Sequence, residues 1–150
     1  MRQNARVTIR VGVIGVGNIG TSHATDLATR VAGSTLAAVY DFDQERAAKV
    51  AAELGARACA SYEDLISAQD VDAVVIASPD NIHAQQALAC LAAGKPTLCE
   101  KPLSPVESDA REVLEAEVAG GKQLIMLGFM RRFDPGYVEL KSQFGPDGIG

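Results

Sequence analysis

The chain has 150 residues, 47% of them hydrophobic and 22% charged, with a formal net charge of -5. One ordinary domain of that length buries roughly 70% of the surface its unfolded form exposes, and the composition excludes a disordered or fibrous chain. An acidic chain whose longest basic run is Arg131-Arg132 repels nucleic-acid phosphates and anionic lipid, so a small-molecule ligand is expected, with no nucleic acid and no membrane.

Cys59, Cys90 and Cys99 form no CxxC pair and leave an odd thiol, a usage that suits a reducing compartment and gives a cytoplasmic location as the expectation. No apolar run approaches the roughly 20 residues of a membrane-spanning helix. The opening segment faintly mimics a signal peptide, but its apolar stretch is broken by glycine and reads as a first strand.

In chain order, β-rich runs alternate with longer Ala-rich, helix-periodic stretches, the pattern of a mostly parallel sheet. Residues 7–14 read as the first strand, 18–30 as a helix and 35–40 as the second strand. Residues 43–54 form a helix with Asp43 placed to cap its start and Gly55 its end. A short strand over 56–60 and a capped helix opening at Ser61-Tyr62-Glu63-Asp64 follow. Residues 71–77 suit a central strand buried on both faces, and 81–93 a helix closed by Gly94 and Pro96. Thr97–Cys99 is a strand. Ser104-Pro105-Val106-Glu107 reads as a helix start, with Ser as N-cap and Pro at the first helical position. Gly120-Gly121 ends that helix, and 124–127 supplies a sixth strand. The whole is an α/β chain, a doubly wound, mostly parallel sheet of about six strands (a Rossmann fold). The glycine-rich end, residues 145–150, closes no element and reads as a cut at a domain boundary.

Gly15-Val16-Gly17-Asn18-Ile19-Gly20 is a GxGxxG loop between a strand and a helix. In that setting Gly15 permits the tight turn, Gly17 removes a Cβ that would block a pyrophosphate, and Gly20 lets the helix approach the sheet. The amides of Asn18 and Ile19 then face the phosphates at the helix N-terminus. The competing reading is a tight turn with no ligand, and S-adenosylmethionine enzymes carry similar loops. Asp41 stands 21 residues after Gly20 at the end of the second strand, where a carboxylate accepts from both adenosine ribose hydroxyls and repels a 2′-phosphate. With no arginine directly after it and Arg46 the nearest, NAD is expected over NADP; alternatively Asp41 only begins a turn. Ser78 and Pro79 leave the fourth strand beside the point where such sheets bind ligands. The two histidines and three cysteines lack metal-ligand spacing, and no hydrolase elbow or P-loop lysine is present.

The run Ala92-Ala93-Gly94-Lys95-Pro96 with Glu100-Lys101-Pro102, followed by Gly128-Phe129-Met130-Arg131-Arg132-Phe133-Asp134-Pro135-Gly136-Tyr137, resembles the glucose–fructose oxidoreductase / inositol dehydrogenase family. The likeness spans nearly the whole chain, and the last segment is most similar to the inositol 2-dehydrogenase branch. It implies an NAD-dependent oxidoreductase acting on a cyclic polyol or sugar hydroxyl. Lys101 would be the catalytic lysine, preceding a commonly cis prolyl bond. Glu100 would lie near the cofactor ribose, and Met130 with Arg131 would meet the polyol. Without the resemblance, Lys101 reads as a solvated loop lysine and Arg131-Arg132 as an exposed turn. His83 matches a family histidine near the cofactor pocket and reads equally well as satisfying local backbone groups, while His23 reads as structural and Cys99 as a small buried filler.

The resemblance also implies a second, mainly antiparallel domain that supplies an Asp-x-x-x-His pair with the general base, and a homo-oligomer in the intact enzyme. Residues 1–128 are expected to be the NAD-binding domain and 129–150 a connecting segment, giving cofactor binding without appreciable turnover. The alternative is a stand-alone NAD-binding sensor or subunit module.

Overall fold

The computed structural model describes residues 8–144. The beginning of the expected first strand at Val7 and the glycine-rich end at 145–150 lie outside the described residues. Six strands, β1 (Ile9–Ile14), β2 (Ser34–Tyr40), β3 (Arg57–Ala58), β4 (Ala73–Ile76), β5 (Thr97–Cys99) and β6 (Ile125–Leu127), form one sheet in the order β3-β2-β1-β4-β5-β6. All its pairings are parallel. The helices are α1 (Asn18–Thr29), α2 (Gln44–Leu54), α3 (Tyr62–Ser67), α4 (His83–Ala92), α5 (Glu107–Gly120) and α6 (Pro135–Ser142).

Strand periodicity sends alternate side chains to opposite faces, and each face has its own core. Val11 and Val13 of β1, Leu36 and Val39 of β2 and Val75 of β4 meet Ala24 of α1 and Val50 and Ala51 of α2. Ile14, Ala38, Val74 and Ile76 face the other way, against Leu65 and Ile66 of α3, Ala84, Ala87 and Cys90 of α4 and Val113 of α5. Ile14 and Ile76 are fully buried, each contributing about 1.5–3 kcal/mol by transfer from water. The chain is therefore wound on both sides of the sheet. Its order reverses between β1 and β4, whose carboxyl ends open a crevice.

The sequence signals set several boundaries. Asp43 caps α2 by accepting from the Arg46 amide, and Gly55 closes it with φ 70°; Ser61 caps α3 by accepting from Asp64. The start of α5 differs from expectation. Ser104 Oγ accepts from the Val106 amide two residues on, at 3.0 Å, and the helix opens at Glu107 with Val106 as an N-cap that offers no side-chain bond. A serine bonding so close along the chain builds a local turn in place of a cap. The edge strand β3 has two residues against the five expected, since it has a ladder partner on one side only.

At the end of the sheet away from the crevice, Arg10 Nη2 meets Asp72 Oδ1 at 2.7 Å and donates to the Gln69 carbonyl at 2.8 Å. This ties the start of β1 to the turn before β4. Among the described residues no helix is long and apolar enough to cross a membrane.

Candidate dinucleotide-binding site

β1 runs out at Ile14, and the next residue turns sharply. Gly15 has φ 84°, and a Cβ there would stand 2.5 Å from the Ser78 nitrogen, so a side chain is excluded both by conformation and by contact with the chain leaving β4. A Cβ on Gly20 would lie 1.8 Å from the Gly15 carbonyl oxygen; only glycine lets α1 seat against the loop. At Gly17, the N-cap of α1, a Cβ would meet nothing within 4 Å. The first helical bond runs from the Thr21 amide to the Gly17 carbonyl. The amides of Asn18, Ile19 and Gly20 therefore stand at the free, electropositive helix end with no side-chain cap.

Asp41 follows β2 directly and is 7% exposed. Its Oδ2 accepts from the Val16 amide at 2.8 Å and its Oδ1 from the Asp43 amide at 2.9 Å, fixing the carboxylate against the glycine loop. Arg46, in the first turn of α2, places Nη1 3.5 Å from both Asp41 oxygens and Nη2 3.0 Å from Asp43 Oδ2. The sequence placed this arginine five residues from Asp41; one helical turn brings it alongside. A groove of about 690 Å³ runs between α1 and α2, lined by Val16, Gly17, Asn18, Thr21, Arg46, Lys49, Val50 and Glu53.

On the other side of the crevice the loops after β4 and β5 are joined by buried side chains. Ser78 Oγ donates to Gln86 Oε1 at 2.6 Å, while Gln86 is fully buried and its Nε2 has no partner among the described residues. His83 is 2% exposed. Its Nδ1 lies 2.8 Å from the Pro102 carbonyl oxygen and its Nε2 2.7 Å from that of Ser78, so the ring bridges the two loops from behind. The Lys101-Pro102 bond is cis. Lys101 and Pro79 are exposed. Glu100 is half-buried, and its Oε1 meets His23 Nε2 at 2.8 Å. His23, expected to be structural, thus reaches a residue proposed for the site, across 77 positions of chain that only the tertiary fold brings together. Lys95 of the AGK run is used structurally, donating to the carbonyls of Ala68 and Val71.

Met130 and Arg131 lie on an exposed 3-10 turn, Met130–Arg132, beyond β6. Met130 is 64% exposed. Arg131 turns back on its own segment, with Nη1 3.2 Å from Asp134 Oδ2 and its guanidinium 5.3 Å from the centre of the Tyr137 ring. The structure brings the glycine loop, Asp41, Ser78 and Glu100 round one crevice and leaves Met130 and Arg131 on the surface. All three cysteines are buried; burial pushes the Cys99 thiol up to about 12 and that of Cys90 up to about 11, so neither is a nucleophile.

The residues present fit a dinucleotide. Open space at Gly17, three free amides and an adjacent fixed carboxylate match a pyrophosphate followed by a ribose. Fold and site together define a doubly wound dinucleotide-binding domain. A family model described as an oxidoreductase family with an NAD-binding Rossmann fold matches residues 9–129, and the chain belongs to that family. Inositol 2-dehydrogenase 2 of Saccharopolyspora erythraea is 49% identical over 145 residues, covering 96% of this chain and 43% of the relative. An inositol 2-dehydrogenase of Rubrobacter xylanophilus is 48% identical over 142 residues, 95% of this chain and 41% of its own length. The chain thus spans less than half the length of these relatives. The crystal structure of myo-inositol dehydrogenase from Lactobacillus casei, in complex with NAD(H) and myo-inositol, superposes with a TM-score of 0.88 at 33% identity, covering 91% of this chain and 41% of that one.

Proposed function

We propose that this chain is the nucleotide-binding half of an NAD-dependent dehydrogenase that oxidises a ring hydroxyl of inositol or a similar cyclic polyol. The observation that carries the reading is the uncapped N-terminus of α1, open at Gly17 and flanked by the fixed Asp41 carboxylate. The amides of Asn18, Ile19 and Gly20 take the pyrophosphate, and Asp41 accepts from the adenosine ribose hydroxyls with the lone pairs that Val16 and Asp43 leave free. Ser78 and Pro79 wall the nicotinamide side, and His83, set between the Ser78 and Pro102 carbonyls, braces that wall. Bound NAD supplies the hydride acceptor. Lys101, exposed at the mouth of the crevice, donates to the substrate hydroxyl and stabilises charge developing on its oxygen. Met130 and Arg131, on the exposed turn beyond β6, are the residues that meet the polyol.

In this reading residues 1–128 form the cofactor domain and 129–150 are a connecting segment, the intact enzyme is a homo-oligomer, and its compartment is the cytoplasm, where buried free thiols persist. The relatives' names and the two ligands in the Lactobacillus casei structure support inositol as the substrate class. Calorimetry of the 150-residue chain tests the first half of the proposal: saturable one-to-one binding of NADH is expected, and no binding by the folded chain overturns it. An assay of the same chain with NAD and myo-inositol is expected to show no appreciable turnover, because the family resemblance puts the general base in a second domain.

A further inference from the structure

His23 and Gly128 are two residues to which that reading gives no role, and both shape the surroundings of Glu100. His23 lies on α1, three residues beyond Gly20, while Glu100 follows β5; 77 positions separate them, yet Nε2 and Oε1 stand 2.8 Å apart. The side chains are 31% and 15% exposed, so the contact is partly shielded from water. The backbone of Glu100 is pinned by its amide bond to the Ile76 carbonyl. On the far side of the carboxylate, a Cβ on Gly128 would lie 3.2 Å from Glu100 Cδ and Oε2, tighter than ordinary contact, so the glycine leaves the carboxylate its room. Oε1 is occupied by the imidazole, and Oε2 accepts no hydrogen bond from the described residues.

We propose that His23 is a positioning residue: it holds the Glu100 carboxylate so that the free oxygen is offered to a ribose hydroxyl on the nicotinamide side of the dinucleotide. This rests on the function proposed above. A glutamate left to rotate would have to be ordered when ligand arrives; one tethered beforehand carries that cost in folding. The pair also links the helix that receives the pyrophosphate to the loop that carries Lys101, so the two halves of the ligand are received by parts held in fixed relation.

The role is read by comparing two ligands on the 150-residue chain. ADP engages only the glycine loop and Asp41, whereas NADH also reaches Glu100. His23→Leu is expected to weaken NADH binding about tenfold, the loss of one charge-assisted hydrogen bond, while ADP affinity stays within about twofold. His23→Gln, whose amide nitrogen reaches the place of Nε2, is expected to restore NADH binding to within about threefold of the unsubstituted chain. In a Glu100→Gln background the leucine is expected to cost nothing further. Equal losses for ADP and NADH would mean that His23 merely seats α1, and would overturn the proposal, as would unchanged affinity for both. Should His23→Leu not fold, His23→Ala is read in its place with the same two ligands, and the same selective loss of NADH binding is expected. If the unsubstituted chain binds ADP but holds NADH no more tightly, the positioning role fails while the phosphate site stands; if it binds neither, the proposed function itself fails.

Discussion

Gly17 has an ordinary φ of -69° and open space where a Cβ would stand, so nothing in the fold demands glycine there. Gly17→Ala is expected to keep the thermal midpoint and to lose NADH affinity by at least about tenfold, a pairing of melting curve and titration that a turn without a ligand would not give. In the proposed function, Asp41 sets the choice between the two nicotinamide cofactors. Asp41→Ser removes the acceptor for the ribose hydroxyls and frees Arg46 from a partner at 3.5 Å. The NAD-to-NADP affinity ratio is expected to fall by about tenfold or more, and an unchanged ratio in parallel titrations would exclude the ribose role. Residue types and spacing announced Gly15 and Gly20, because each answers a local geometric demand; the roles of Gly17 and Asp41 belong to the proposed function. The same signals could not announce that Arg46 comes alongside Asp41 or that His23 meets Glu100, since those contacts come from a helical turn and from packing across the sheet.

Elements were legible where local chemistry alone decides them. The caps of α2 and α3 stand at the expected Asp43 and Ser61 because each side chain closes a bond three residues ahead. The opening of α5 was misread because Ser104 had two local partners to choose between and took the nearer. Below the sheet, the Arg10 guanidinium beside Asp72 holds that carboxyl well below the usual carboxylate range, chiefly through their side-chain hydrogen bond. A carboxyl lowered in the folded state stabilises above its unfolded value of about 3.9, and that contribution is lost as the pH falls through the lowered one. Asp72→Asn is therefore expected to lower the melting midpoint at pH 7, with a deficit that shrinks as the pH drops below about 4. Its NADH affinity stays unchanged, since the pair sits at the opposite end of the strands from the crevice.

At the scale of the molecule, the alternation of strand and helix signals was enough to give the doubly wound architecture, and the two cores follow from the two-residue period of the strands. Of the fifteen large apolar side chains exposed among the described residues, eleven come from residue 106 onward, including Leu114 and Val118 on α5, Met126 on β6 and Phe133, Tyr137 and Val138 around α6. A domain that leaves that many large apolar side chains exposed on its later elements is expected to associate. Sedimentation velocity is expected to show a concentration-dependent rise in apparent mass, reduced by Val118→Glu with Phe133→Ser; an ideal monomer at high concentration would contradict it.

The central place of β1 bears on how the protein is made. Its inner edge stays unpaired until Ala73–Ile76 have been synthesised, roughly 60 residues later, a wait of several seconds at about 5–20 residues per second. Once Ser34–Tyr40 have followed, the nascent polypeptide carries an apolar β-edge paired on its β2 side alone until β4 arrives.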